Sequence, residues 1–402
     1  MNRLTLTPVF LLALGACHDW AGLSSSWEGE GVCAAYVVAG ATHTCVRMSN
    51  GALYCWGDNR FGQLGVGDTV PHKAPARVAF GDIGVSKVYL PSGDGELSAD
   101  TGLFTCAITT DNSLWCWGAN RFGQLGTGDA EARSRPTPVP GLSADASKAS
   151  NGGSHACGLT SDGRLLCWGA NASGQLGLGN GAPQPSAMQV STTGWTVDRL
   201  TTGTNFTCAR GADGSLRCWG ENGAGQLGLG DVIARNTPTL VPSVGNRVVR
   251  LSAGGAHACA FMTDGEAWCW GDNRFGQLGV GDLAPRLVPT QVAGGMAGGV
   301  TQIFTGGSHS CALKVDGTLW CWGDNRSGQL GLGDTDSRQL PVQVAPDVLG
   351  NQVSAAYAGG AHTCVVKADG SVWCWGNNQY GQLSSTAGAR STVPVQLSPP
   401  CP

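Results

Sequence analysis

One segment recurs seven times along this chain, at a period near fifty residues. It reads CWGDNRFGQLGVGD from Cys55, CWGANRFGQLGTGD from Cys116 and CWGANASGQLGLGN from Cys167. It returns as CWGENGAGQLGLGD from Cys218, CWGDNRFGQLGVGD from Cys269 and CWGDNRSGQLGLGD from Cys321. The last copy, CWGNNQYGQLSSTA from Cys374, decays after Leu383. Successive copies are spaced by 61, 51, 51, 51, 52 and 53 residues. Such a period marks a repeat architecture, in which each unit buries its apolar face only against its neighbours. It replaces the two or three separate domains that 402 residues would otherwise suggest.

A second cysteine stands ten positions before each copy, giving the pairs Cys45/Cys55, Cys106/Cys116, Cys157/Cys167, Cys208/Cys218, Cys259/Cys269, Cys311/Cys321 and Cys364/Cys374. Between the members of a pair sits a turn dipeptide such as Asn50-Gly51 or Asp264-Gly265, with Asp111-Asn112 in the second repeat. Apolar residues flank these dipeptides, so each unit reads as a β-hairpin. Counting outward from the turn with a three-residue or bulged loop sets the two cysteines opposite one another, within reach of a disulfide. The competing reading is a zinc site, but one hairpin offers two thiolates, half of a structural zinc shell.

Tryptophan follows the second cysteine in every copy: Trp56, Trp117, Trp168, Trp219, Trp270, Trp322 and Trp375. Both faces of a propeller blade are packed, so these rings are expected in the core between blades. Glycine supplies 64 residues and charged residues only 13%, a composition for short strands and tight turns with little helix.

The string Trp-Gly-x-Asn-x-x-Gly-Gln-Leu-Gly-x-Gly-Asp resembles the repeat of the regulator of chromosome condensation family, from about Ala34 to Leu397. The resemblance implies an all-β fold, a seven-bladed β-propeller of four-stranded blades. Members of that family include an exchange factor for a small nuclear GTPase, a plant photoreceptor and a secreted inhibitor, so the fold alone fixes no activity. The cysteine pairs depart from the family pattern and fit an oxidising compartment.

Residues 1–17, MNRLTLTPVFLLALGAC, read as an export signal whose apolar run is too short to span a bilayer. Its end, Leu14-Gly15-Ala16-Cys17, resembles a bacterial lipobox, which makes Cys17 the expected lipidation site. Residues 18–32 read as a tether and 33–402 as the propeller. Cys33 and Cys401 remain after the seven pairs. The expectation is that they form a disulfide clasping the ring, with the C-terminal strand pairing into the first blade so that the N- and C-terminal segments close it.

Five histidines and two phenylalanines, His43, Phe104, His155, Phe206, His257, His309 and His362, stand two residues before the first cysteine of each pair. The phenylalanines argue against a metal ring, and each histidine is expected to bond within its own blade. Asp68, Asp129, Asp231, Asp282 and Asp334 end five motif copies and are expected to bond the following turn. The long first spacing places an insertion at 91–103, carrying Asp94, Glu96 and Asp100. Arg60, Arg121, Arg274 and Arg326 share one motif position. Insertion and arginines together are the candidate partner-binding residues.

The formal net charge is −4 and no lysine or arginine run appears, which gives no footprint for nucleic acid. No nucleophile elbow, phosphate loop or metalloprotease signature is present, and no catalytic residue, cofactor or metal is expected. The sequence thus points to a non-enzymatic, lipid-anchored scaffold of the bacterial cell envelope, presenting loops to a protein or surface-polymer partner. An exchange-factor-like regulator of a small GTPase and a polysaccharide-acting enzyme using the central channel are the two alternatives.

Overall fold

Each repeat folds into one four-stranded antiparallel sheet, and seven such sheets stand around a common axis. The structure, a computed structural model, describes residues 34–91, 101–294, 296, 298–383 and 388–397. The blades span 34–78, 85–138, 146–189, 197–240, 248–291, 300–343 and 353–396. In the first blade the strands are Ala34–Ala39, His43–Met48, Leu53–Gly57 and His72–Val78, from the axis outward. First strands of neighbouring blades meet one another, so they form the wall of the central channel.

The hairpin between second and third strands is local chemistry. Gly51 N–H donates to the Met48 carbonyl and Met48 N–H to the Ala52 carbonyl, which closes a three-residue loop. Its last residue must take positive φ, and Gly51 does so at 85°. Asn112 takes that place at 62° in the second blade, the substitution the left-handed region tolerates best. The Asn50 side chain accepts from Ala52 N–H at 3.0 Å, and the aspartates of the other turns repeat the bond.

This register sets Cys45 against Cys55. Met48 and Ala52 form a hydrogen-bonded pair, so by alternation the cysteines fall at a non-hydrogen-bonded pair, where side chains approach most closely. All seven hairpins carry a disulfide at this position, with Cα atoms 4.1 Å apart.

The seam between last and first blades differs from the expectation. The C-terminal strand Arg390–Gln396 pairs with Val372–Asn377 of its own blade, Gln396 opposite Trp373, and not with the first blade. The reason is connectivity: every outer strand follows the motif loop of its own repeat and returns along that repeat's third strand. The ends are therefore joined by packing and hydrogen bonds. Trp56 Nε1 donates to the Gln382 carbonyl at 3.0 Å, and Gly360 N–H donates to the Gly40 carbonyl at 2.9 Å. Cys33 and Cys401, with the proposed clasp, lie outside the described residues, as does Cys17.

Candidate functional site

Most of the repeated motif is consumed in holding blades together. Trp117 Nε1 donates to the Gln63 carbonyl of the preceding blade at 3.0 Å, and all seven motif tryptophans make the equivalent bond. All seven rings are buried, Trp270 among Phe206, Leu216 and Leu227 of the blade before it. Gly65 lies against such a ring: a Cβ there would stand 2.5 Å from Trp117 Nε1. Within the loop, Asn59 Oδ1 accepts from Leu64 N–H and its Nδ2 donates to the Asp68 carbonyl, each at 3.0 Å. The Gln63 side chain accepts from Phe61 N–H at 3.0 Å. Buried polar groups need partners, and this fixed string supplies most of them from within itself, Gln63 Nε2 having none among the described residues.

The histidines also serve the joints, but between blades rather than within one. His43 Nε2 stands 2.8 Å from Thr105 Oγ of the next blade, and that hydroxyl donates to the Gln63 carbonyl at 2.7 Å. The hydroxyl proton is thus committed, so Nε2–H is the donor, and Nδ1, buried with no partner among the described residues, leaves the imidazole neutral. His155 meets Thr207, His257 meets Ser310, His309 meets Thr363, and His362 closes the ring on Thr44. Where phenylalanine replaces histidine, at Phe104 and Phe206, the corresponding residue of the next repeat is Ala156 or Ala258. The sequence thus alternates two self-consistent pairs, His with a hydroxyl and Phe with Ala. Burial pushes the histidines down, to about 4 at His43, His257 and His309 and about 3 at His155 and His362.

The motif aspartates cap the following turn as expected: Asp129 Oδ1 accepts from Glu131 N–H at 3.0 Å. Four of them also bind an arginine four residues on, and Asp68 a histidine, His72, which the sequence reading missed. Arg133–Asp129 closes at 2.5 Å, and Arg235–Asp231, Arg286–Asp282 and Arg338–Asp334 at 2.6 Å. The i,i+4 spacing Asp-x-x-x-Arg was the available signal. Backbone donation from Glu131, opposed by desolvation and aided by Arg133, holds the Asp129 carboxyl below its ordinary range.

Four rim arginines remain. The loops joining first to second strands and the motif loops share one rim, since Asp58 N–H donates to the Thr42 carbonyl at 3.1 Å. On it, Arg60 forks onto Asp58, Arg274 onto Asp272 and Arg326 onto Asp324, at 2.9 to 3.0 Å. These carboxylates are buried or nearly so, while the Arg274 and Arg326 side chains stay 73% and 61% exposed. Arg60 also lies over Tyr380 at 5.0 Å, Arg326 over Phe275 at 4.3 Å and Arg121 over Phe122 at 5.6 Å. The structure thus brings together an arc of guanidinium and aromatic groups running from the fifth blade across the seam to the second. The third and fourth blades carry Ala172-Ser173 and Gly223-Ala224 at these positions. The insertion falls in sequence between the first and second strands of the second blade, and its Asp94, Glu96 and Asp100 lie outside the described residues.

Comparison with known proteins agrees with this architecture. A profile of the RCC1-like domain matches residues 181–401, and profiles of the regulator of chromosome condensation (RCC1) repeat match 35–63, 149–175, 50–88 and 111–159. The ultraviolet-B receptor UVR8 of Arabidopsis thaliana is 33% identical over 353 residues, 86% of this chain and 78% of that protein. The E3 ubiquitin-protein ligase HERC2 of Homo sapiens is 32% identical over 343 residues, 83% of this chain but 7% of that protein, so the chain spans a small part of HERC2. Yeast RCC1 (Prp20), in its crystal structure bound to Kap60, superposes with a TM-score of 0.74 at 19% identity, over 94% of this chain and 90% of that one. At that identity the likeness concerns the fold alone. The chain belongs to the regulator of chromosome condensation (RCC1) repeat family.

Proposed function

We propose that this protein is a non-enzymatic binding scaffold of the bacterial cell envelope, lipid-anchored through Cys17, which presents one rim of its propeller to a protein or surface-polymer partner. The observation that carries the reading is the asymmetry of that rim. The repeated residues serve the joints alike in every blade, whereas the arginine and aromatic arc occupies five blades and leaves two bare. Arginine and aromatic groups dominate the energetics of protein interfaces. Yeast RCC1 (Prp20), which has this fold, has been solved bound to Kap60. Family membership keeps an exchange-factor-like regulator of a small GTPase as the second reading, which export of the chain would separate from its nucleotide.

The test is affinity capture from envelope extracts with the wild type, with Arg121→Glu plus Phe122→Ser, and with residues 92–101 deleted. A partner retained by the wild type and lost by either variant supports the rim. Identical capture by all three chains overturns it. In the same strain, Cys17→Ser is expected to move the protein from the membrane fraction to the soluble one, and unchanged membrane retention would defeat the lipid anchor.

A further inference from the structure

The central channel carries a second unrepeated feature. One register position of the first strands holds Lys87, Lys148, Arg199 and Arg250 in four consecutive blades, followed by Gln302 in the sixth. These residues line a cavity of about 330 Å³ together with Tyr89 and Phe304. None of the described residues lining it is acidic. In a chain of net charge −4, four cations converge on a concave wall. A cleft lined by one sign of charge focuses field and concentrates counter-ions.

The cations are only partly satisfied by the protein. Lys87 Nζ donates to the Ser147 carbonyl at 2.7 Å and Lys148 Nζ to the Asp198 carbonyl of the next blade, so each lysine is braced without being neutralised. Asp198 is ion-paired with Arg210. Arg199 Nε is buried with no partner among the described residues. Burial first, and then the neighbouring cations, depress the ammonium of Lys148 and the guanidinium of Arg199 below their ordinary values, against the attraction of Asp198. The aromatic lining is Tyr89 and Phe304, and Phe304 stands 6.1 Å from Tyr357, which in turn stands 6.5 Å from Tyr36 and feels the charge of Arg250.

We infer that this channel is a binding site for an acidic sugar, a monosaccharide-sized ring bearing two or more phosphate or carboxylate groups. Guanidinium and ammonium groups answer the anionic groups, and the aromatic side answers the apolar face of the ring. The cavity has the volume of a small-molecule pocket and is too small for a nucleic-acid helix. The site lies on the channel wall, away from the arginine rim, so the two can fail independently.

The experiment is calorimetric titration of the full chain with fructose 1,6-bisphosphate and with glucose 1,6-bisphosphate, against uncharged fructose and inorganic phosphate. The expected result is saturable binding of at least one acidic sugar, none of fructose, and weaker binding of phosphate. Arg199→Gln with Arg250→Gln is expected to weaken binding at least tenfold. Lys87→Gln, at an exposed position, is expected to weaken it several-fold and guards against a folding defect in the double variant. The site is refuted if neither acidic sugar binds saturably, if the double variant and Lys87→Gln both bind like the wild type, or if phosphate alone binds as tightly as the sugars.

Discussion

The motif loops and the channel wall come from the same seven repeats, yet they treat repetition in opposite ways. In the loops, near-identical strings make the same bonds seven times, because each tryptophan touches the preceding blade and each motif glycine and glutamine the next. On the wall, a single register position holds Tyr36, then four cations, then Gln302 and Ala355. A side chain that a neighbouring blade must accommodate is fixed by packing. One that faces the lumen is not, so ligand chemistry can be written there without disturbing the ring. In this fold, specific binding is to be sought where the repeat breaks.

The largest expected consequence is at a joint. Trp270→Ala removes a fully buried ring and leaves the Gln226 carbonyl without its donor. The loss should be about 3–5 kcal/mol in chemical denaturation. Gln302→Ala on the wall should cost no more than about 0.5 kcal/mol. Comparable losses at the two sites would break the comparison.

Next in size is the sulfur within a blade. Replacing Cys259 and Cys269 together by serine opens a loop with a sequence separation of 10. The chain-entropy model gives at most about 3 kcal/mol for so short a loop, and less where the hairpin persists in the unfolded chain. A loss of about 2 kcal/mol, measured by denaturant midpoint against a reduced wild-type control, would place disulfides below tryptophans in the hierarchy. A loss above that of Trp270→Ala would reverse the order.

How much of this was legible beforehand follows the reach of each interaction. Blade number, hairpins, the three-residue loop and the opposed cysteines were legible because they depend on period-two alternation and turn chemistry within a dozen residues. The seam was not, because the blade to which Arg390–Gln396 belongs is decided by which distant strand it meets. The histidine bonds were misplaced inside single blades although their signal was present: hydroxyl residues follow His and alanines follow Phe, one repeat later. The cationic wall was hidden by the insertion. Lys148, Arg199 and Arg250 stand nine residues before the first cysteine of their pairs, whereas Lys87 stands nineteen before Cys106.

That His–hydroxyl pairing gives a smaller, pH-dependent prediction. Folded pKa values of about 3 to 4 lie below the unfolded value near 6.5, so below that pH the unfolded chain binds more protons. Each histidine's contribution is therefore complete above pH ~6.5 and lost as pH falls, by about 1.4 kcal/mol per unit. His155→Phe with Thr207→Ala installs the pair already present at Phe104 and Ala156 and removes one of the five titrations. Between pH 7.5 and 5.5 the double variant should lose about 1.4 kcal/mol less than the wild type. Denaturation at the two pH values checks this. Equal losses would mean that His155 is not buried as the neutral form.

The smallest effect belongs to the wall itself. Arg199 is half-buried and its Nε has no partner among the described residues; burial and Arg250 disfavour its charge, and the attraction of Asp198 offsets them only in part. Replacing it with glutamine removes repulsion and forfeits little packing, so stability should change by no more than about 0.5 kcal/mol, in the stabilising direction. The gain should shrink with salt, because screening contracts from about 30 Å at 0.01 M to about 3 Å at 1 M. Denaturation of Arg199→Gln at both ionic strengths separates two pictures. A small, salt-sensitive stabilisation means that the ring tolerates its cations rather than being built on them, as expected of a wall kept free for a ligand. A salt-independent loss above about 1 kcal/mol would mean that Arg199 is a packing element like the tryptophans, and the contrast between joint and wall would no longer hold.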